Sequence, residues 1–147
     1  MSESLSITLT QQADYQFLID FGGDLQPLLT DEPPPLGGGV GPKPDHMLQA
    51  AVGNCLLASL LFALRKFKQE PGTLTAQITS TVDRNDAKRL RVLGIQVDIR
   101  FEAAASGLEH LDRVLAQFED FCTVSQSVQQ GIPVAVTVTD GDGQRLK

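Results

Sequence analysis

The segment from Pro44 to Lys68 constrains the fold most, because it is long and apolar on nearly every side. Pro44 and Asp45 suit the first turn of a helix, and a basic cluster before Pro71-Gly72 suits its end. A helix that is apolar all round is expected to be buried on all sides. At about 1.5 Å per residue the segment is long enough to cross a bilayer. Polar residues interrupt its apolar run, so we predict the core helix of a soluble domain and no membrane partner.

The remaining sequence predicts short strands and a second helical region. Alternation of apolar and polar residues predicts strands at residues 6–12, 15–21, 25–29, 73–82, 88–101 and 132–139. Helical spacing predicts a helix over residues 108–121, capped by Ser106, and a shorter helical stretch over residues 123–130. This order predicts one α+β domain over residues 1–147, with antiparallel sheets packed around the long buried helix and the second helix.

The loop from Asp31 to Lys43 has three consecutive prolines and four glycines, which exclude regular structure. It is either a plain surface loop or a lid or wall for a substrate site, because it directly precedes the long helix.

Charge and cysteine content narrow the class of protein. The net charge is −6, and no Lys or Arg occurs before Lys43. Such a chain lacks the basic face that nucleic-acid binding needs. The N-terminus has no secretory signal pattern, so two cysteines predict a cytoplasmic protein in which any disulfide is transient. No metal-ligand spacing or cofactor motif is present, so we expect neither a metal nor a cofactor.

The predicted helix has more apolar surface than one sheet and one partner helix of a small domain can cover. A second copy of the chain is the expected source of the rest, and the sequence therefore predicts a homodimer.

Cys55 and Cys122 are the candidate reactive groups. Cys55 lies in the long helix, and Cys122 opens the short helical stretch, where a helix N-terminus would lower its pKa. The alternative is that both are small core residues, since free cysteine is among the most buried residue types.

Two segments around these cysteines resemble a known family. GPKPDHMLQAAVGNC has a proline, an acidic residue and a cysteine eleven residues after the proline, and FCTVSQSVQQGIPVAVTV has a cysteine, a serine-containing turn, a glycine and a valine-rich end. Together they resemble the OsmC/Ohr family, the osmotically inducible and organic hydroperoxide resistance proteins. The resemblance extends from about Gly37 to Val138.

The resemblance implies a thiol peroxidase on an intertwined homodimer, with sites at the subunit interface. Cys55 would attack the hydroperoxide and become a sulfenic acid, and Cys122 would resolve it to a disulfide that an external dithiol reduces. Asp45 falls at the position of a family glutamate that organises the site. Lys43, His46 and Ser125 are candidate residues of the substrate pocket.

The chain departs from the family at two points. Family peroxidases place an arginine from the N-terminal region beside the reactive thiolate, and no basic residue precedes Lys43 here. Asp45 is one methylene shorter than the family glutamate. Lys43, or Arg84, Arg89 or Arg91 of a second subunit, is the candidate replacement cation. The alternative function is therefore a redox-sensing or small-molecule-binding protein with little peroxidase turnover.

Overall fold

The computed structural model describes residues 2–147, and these form two compact units. One unit contains residues up to Asn54 together with Thr75–Arg100, and the other contains Cys55–Leu74 together with Phe101–Lys147. Helices and hairpin-connected strands occur in the order expected of an α+β protein, so the predicted fold class is confirmed.

A three-stranded antiparallel sheet opens the first unit. Its strands are β1 (Thr8–Ala13), β2 (Gln16–Asp20) and β3 (Leu28–Thr30), in that order. Leu9 pairs with Ile19, and Leu18 pairs with Leu29. This register places Ile19 in a buried position, whereas Phe17 on the same face of β2 is 38% exposed. The predicted strands are confirmed here with shorter bounds.

The loop between β3 and the first helix is compact. Asp31 N–H donates to the Pro42 carbonyl at 3.2 Å, so the two ends of the loop meet. A Cβ on Gly37 would collide with the Glu32 carbonyl oxygen, and one on Gly41 with the Leu29 carbonyl oxygen. The glycines thus allow the close backbone approaches that fold this loop.

The first helix, α1, spans Pro44–Lys66. It is long and apolar enough to cross a membrane by length and composition alone, and 22% of its most apolar window is buried. Within the single chain the buried positions fall along one stripe, which comprises Val52, Gly53, Leu60 and Leu64. The chain by itself does not bury α1 on all sides, because Phe62 is 67% exposed. Burial of the other sides by a second copy stays a prediction.

After α1 the chain forms the hairpin of β4 (Leu74–Arg84) and β5 (Leu90–Phe101). Burial alternates along β4 up to Ser80 and along β5 from Ile95 onward, as predicted for a ribbon with one wet face. Leu93, predicted on the apolar face, is instead 59% exposed. Val92 and Ile95 are half-buried, whereas Leu93 and Gly94 between them are exposed. The alternation of burial along β5 is therefore shifted by one residue at this point.

The second helical region is broken into pieces. A 3-10 turn at Ala105–Gly107 precedes α2 (Leu111–Gln117), a second 3-10 turn (Phe118–Phe121) and α3 (Thr123–Gln130). The single helix over residues 108–121 and its Ser106 cap are therefore wrong. His110 has a left-handed backbone with φ of 60° and starts α2 in place of Ser106. Val114, Phe118 and Cys122 form the buried stripe of this region.

The predicted strand over residues 132–139 is absent from the part of the chain that the structure describes. An isolated antiparallel bridge joins Thr139 to Arg145, and beside it the Val138 N–H donates to the Lys147 carbonyl and the Leu146 N–H to the Val138 carbonyl. Pro133 has no N–H to donate, and a strand needs a neighbour to pair with. The alternating apolar side chains are left exposed, Val134 by 84% and Val136 by 58%.

Candidate functional site

The two cysteines come together in the second unit. Cys55 lies in α1, and Cys122 is the residue that caps the N-terminus of α3. Both are free thiols. Cys122 is 0% exposed, whereas Cys55 is half-buried. The Cys55 side chain lies near the Cys122 thiol, because it lowers the pKa of that thiol.

The pKa of the Cys122 thiol lies below its ordinary value. Burial raises this pKa. The Cys55 side chain lowers it, and so do the Ser125 side chain, the Ser125 N–H and the Ser59 side chain, so that the net pKa is lowered. The main causes of the shift are burial and hydrogen bonding, and none of them is a charge. Polar neighbours therefore favour a thiolate at Cys122.

Two serines complete this sulfur cluster, which we define as Cys55, Ser59, Cys122 and Ser125. Ser59 follows Cys55 by one helical turn of α1, and Ser125 follows Cys122 by three residues. Ser125 is 5% exposed, and its Oγ has no hydrogen-bond partner of regular geometry among residues 2–147. The Ser125 hydroxyl is thus near enough to the Cys122 sulfur to lower the pKa of that thiol, but it makes no hydrogen bond of regular geometry with the neutral thiol.

The predicted residues Lys43, Asp45 and His46 form a different cluster at the start of α1. Lys43 Nζ lies 3.0 Å from Asp45 Oδ2, and the Lys43 N–H donates to His46 Nδ1 at 3.2 Å. His46 thereby caps the helix as a hydrogen-bond acceptor. Asp45 precedes Cys55 by ten residues of the same helix, about 15 Å of rise, so α1 does not bring its carboxylate to that thiol.

Comparison with known proteins places the chain in a family. The profile of OsmC-like proteins matches residues 37–137, which is most of the chain and contains both cysteines. The chain belongs to the OsmC-like family. No curated protein matches its sequence.

Solved structures show the same OsmC-like fold. An OsmC-like protein of unknown function from Vibrio cholerae has 17% identity over 88% of this chain and 95% of its own, with a TM-score of 0.72. The organic hydroperoxide resistance protein OsmC from Legionella pneumophila has 12% identity over 87% and 92%, with a TM-score of 0.67. An organic hydroperoxide resistance protein from Elizabethkingia anophelis has 14% identity over 88% and 91%, with a TM-score of 0.62.

Three of the four candidate replacement cations of this OsmC-like chain have local partners. Lys43 is paired with Asp45, as described above. Arg84 Nη1 donates to the Lys88 carbonyl and Arg91 Nη1 to the Leu90 carbonyl, both at 2.7 Å and both on the exposed ribbon. The placement of a cation of a second subunit beside Cys55 remains a prediction.

The sequence analysis missed Ser59 and named Ser125 only as a pocket residue. The spacing of Ser59 from Cys55 was a usable signal, since residues four apart share a helix face. The approach of Ser59 to Cys122 has no such signal, because it depends on how α1 packs against a segment about sixty residues later. His110 stacks on Phe67 with ring centroids 5.0 Å apart. No group of three metal-ligating side chains is arranged for a metal among residues 2–147.

Proposed function

We propose that this OsmC-like protein is a thiol-dependent peroxidase that reduces organic hydroperoxides. The observation that carries the proposal is the proximity of the half-buried Cys55 to the fully buried Cys122 thiol. The names of the Legionella and Elizabethkingia proteins, both organic hydroperoxide resistance proteins of the same fold, support a role in peroxide stress.

The assignment of roles follows from access. Cys55 is half-buried and Cys122 has no exposed surface, so a hydroperoxide entering from solvent meets Cys55 first. The Cys55 thiolate attacks the outer oxygen of ROOH, the O–O bond breaks, and the alkoxide leaves with one proton as ROH. Cys55 is then a sulfenic acid.

Resolution uses the neighbouring sulfur. The Cys122 thiolate attacks the Cys55 sulfenic sulfur, an S–S bond forms, and hydroxide leaves as water. An external dithiol then supplies two electrons and two protons, returning both cysteines to thiols. The lowered pKa of Cys122 supports this order, because a larger thiolate fraction resolves the sulfenic acid before further oxidation.

We also propose that the working form is a homodimer. The exposed side of α1 and the unpaired segment 132–139 carry apolar side chains that a second copy would cover, among them Phe62 and Val134. A second copy is also the remaining source of a cation for Cys55.

The alternative is an OsmC-like redox sensor or small-molecule-binding protein that forms the same disulfide but turns over slowly. The observation that favours it is the engagement of Lys43 with Asp45, together with the lack of any basic residue before Lys43. Without a cation beside it, a thiol in an apolar site ionises less readily.

A thiol titration tests the proposal. One equivalent of cumene hydroperoxide should remove both thiols of the wild-type protein and produce an intramolecular disulfide, and excess dithiothreitol should sustain catalytic peroxide loss. Cys55→Ser should abolish the reaction, whereas Cys122→Ser should stop at a sulfenic acid that dimedone labels at Cys55. An unchanged thiol titre in the wild type would refute the peroxidase, and disulfide formation without sustained turnover would select the sensor.

A further inference from the structure

We propose that Ser59 and Ser125 stabilise Cys122 as the leaving thiolate when a dithiol reduces the Cys55–Cys122 disulfide, so that the reductant attacks only the Cys55 sulfur. This inference rests on the proposed disulfide chemistry and assigns the direction of its reductive half. The juxtaposition that carries it is a fully buried sulfur between two serines, beside a sulfur that solvent can reach.

Access decides which sulfur is attacked. Thiol–disulfide exchange needs the incoming thiolate in line with the bond that breaks, so the attacked sulfur must be reachable. Cys122 is 0% exposed and Cys55 is half-buried. Attack at Cys55 leaves the electron pair of the broken S–S bond on Cys122 inside the protein.

A buried leaving thiolate needs hydrogen-bond donors, because its charge is costly in an apolar core. Ser125 has a 5% exposed side chain whose Oγ has no partner of regular geometry among the described residues. A hydroxyl rotates freely about its C–O bond, so this proton is available to a charge that appears beside it. The Ser125 hydroxyl is thus a donor that is unused in the thiol form and engaged in the thiolate form.

The remaining donors come from α1 and from the first turn of α3. Ser59, one turn after Cys55 in α1, lies near the Cys122 thiol, and so does the Ser125 N–H in α3. Contacts with Ser125 and Ser59 lower the pKa of Cys122, and a thiol of lower pKa leaves faster in exchange.

One thiolate of the dithiol bonds to Cys55 Sγ, the Cys55–Cys122 bond breaks, and Cys122 departs as a thiolate. The second thiol of the reductant then attacks the reductant's first sulfur, which is bonded to Cys55 in the mixed disulfide, and Cys55 is released as a thiolate. The dithiol becomes a cyclic disulfide, two electrons pass to the protein, and both cysteines end as thiols after taking up the two protons.

The test starts from a disulfide made with diamide, so it does not depend on peroxidase activity. Reduction by dithiothreitol is followed by alkylating released thiols at timed intervals. Ser125→Ala should slow reduction about fivefold, because the leaving thiolate loses a charge-assisted hydrogen bond. Ser125→Thr, which keeps the hydroxyl, should stay closer to wild type than the alanine variant. Ser127→Ala, a neighbouring serine on α3 outside the sulfur cluster, should reduce at the wild-type rate.

A second measurement locates the attack. Glutathione, a monothiol, should form a mixed disulfide at Cys55 and none at Cys122 when the adduct is mapped by peptide mass spectrometry. An adduct at Cys122, or wild-type reduction rates in both Ser125→Ala and Ser59→Ala, would overturn the inference, as would failure of diamide to join the cysteines. If Ser125→Ala does not fold, the Ser59→Ala rate and the glutathione adduct decide the question. Inertness toward cumene hydroperoxide with normal diamide chemistry would instead refute only the peroxidase.

Discussion

Asp31 anchors the loop that leads into α1. Its side chain is 2% exposed and accepts backbone N–H groups from Glu32 at 2.8 Å and from Gly38 and Val40 at 3.1 Å. Burial raises the pKa of this carboxyl, but the backbone donors, of which Val40 has the largest effect, together lower it by more. The net pKa therefore lies below its ordinary value. The carboxylate therefore replaces the regular hydrogen bonding that a proline- and glycine-rich loop cannot make.

Asp31→Asn should destabilise the protein at neutral pH. The variant turns an NH2 group toward backbone donors, so at least one N–H loses its acceptor. Because the native pKa is lowered, the carboxylate stabilises the fold above the unfolded-state pKa, and this contribution is lost as pH falls through the native value. The difference in urea midpoint between wild type and variant should thus be largest near pH 7 and shrink in acid. Asp24→Asn, in the exposed turn before β3, is the control; equal midpoints for Asp31→Asn and wild type at pH 7 would contradict the role.

Residues that act through local spacing could be predicted, and those that act through tertiary contact could not. Cys55 and Cys122 were recognised from their surrounding motifs, and the structure brings them together. Asp31 was seen only as part of a loop, because the N–H groups it accepts lie up to nine residues away and leave no periodic signal. The pairing of Lys43 with Asp45 likewise was not predicted, although the two are close in sequence.

At the scale of elements, α1 approaches β4 closely enough to require glycine. Gly53 is buried, and a Cβ there would lie 2.6 Å from Ile78 Cδ1 and 2.7 Å from Ile78 Cγ1. Gln49 Nε2, one turn earlier on the same face of α1, donates to the Ile78 carbonyl at 3.2 Å. These contacts fix the helix against the strand within the first unit.

Gly53→Ala should lower the free energy of unfolding by about 1 kcal/mol, since overpacking outweighs the better helix propensity of alanine. Ile78→Val removes Cδ1, one of the two colliding atoms, and so relieves part of the clash. The double variant should therefore be more stable than the two single effects predict when they are added. Chemical denaturation of the four proteins measures this coupling. Gly94→Ala, whose added Cβ would meet nothing within 4 Å, is the matched control for a new methyl group. Additive effects of Gly53→Ala and Ile78→Val would mean that the two side chains do not limit the helix position.

Elements were predictable where their sequence pattern and their contacts agree. α1 and the β4–β5 hairpin keep nearly the predicted bounds because their patterns extend over many residues. The helix predicted over residues 108–121 is broken at His110, whose ring stacks on Phe67, while the Glu109 N–H donates to Gln69 Oε1 at 2.9 Å. These partners lie in the segment just after α1, and the spacing within residues 108–121 carries no trace of them.

At the scale of the whole molecule, the absence of the strand predicted over residues 132–139 and the exposed side of α1 have the same physical explanation. Alternation along residues 132–139 and apolar residues around α1 were both assigned to a core, but one chain has too few elements to cover them. Ile132, Val134, Val136 and Val138 remain between 44% and 84% exposed. An apolar sequence pattern indicates that a side chain is buried, but it does not indicate whether the same chain or a second copy covers it.

If a second copy provides that cover, the protein should be dimeric at micromolar concentration by sedimentation equilibrium. Val136→Asp and Phe62→Asp each place a charge on a surface that the dimer would bury, and each should raise the dissociation constant about 100-fold or more. Leu25→Asp also places a charge on an exposed apolar residue, but it lies in the turn before β3 and should leave the dissociation constant unchanged. A monomeric wild type, or equal weakening by all three substitutions, would contradict the proposed interface. Because the candidate cation for Cys55 would also come from the second copy, dissociation of Val136→Asp should lower its rate of peroxide reaction in parallel with its loss of dimer.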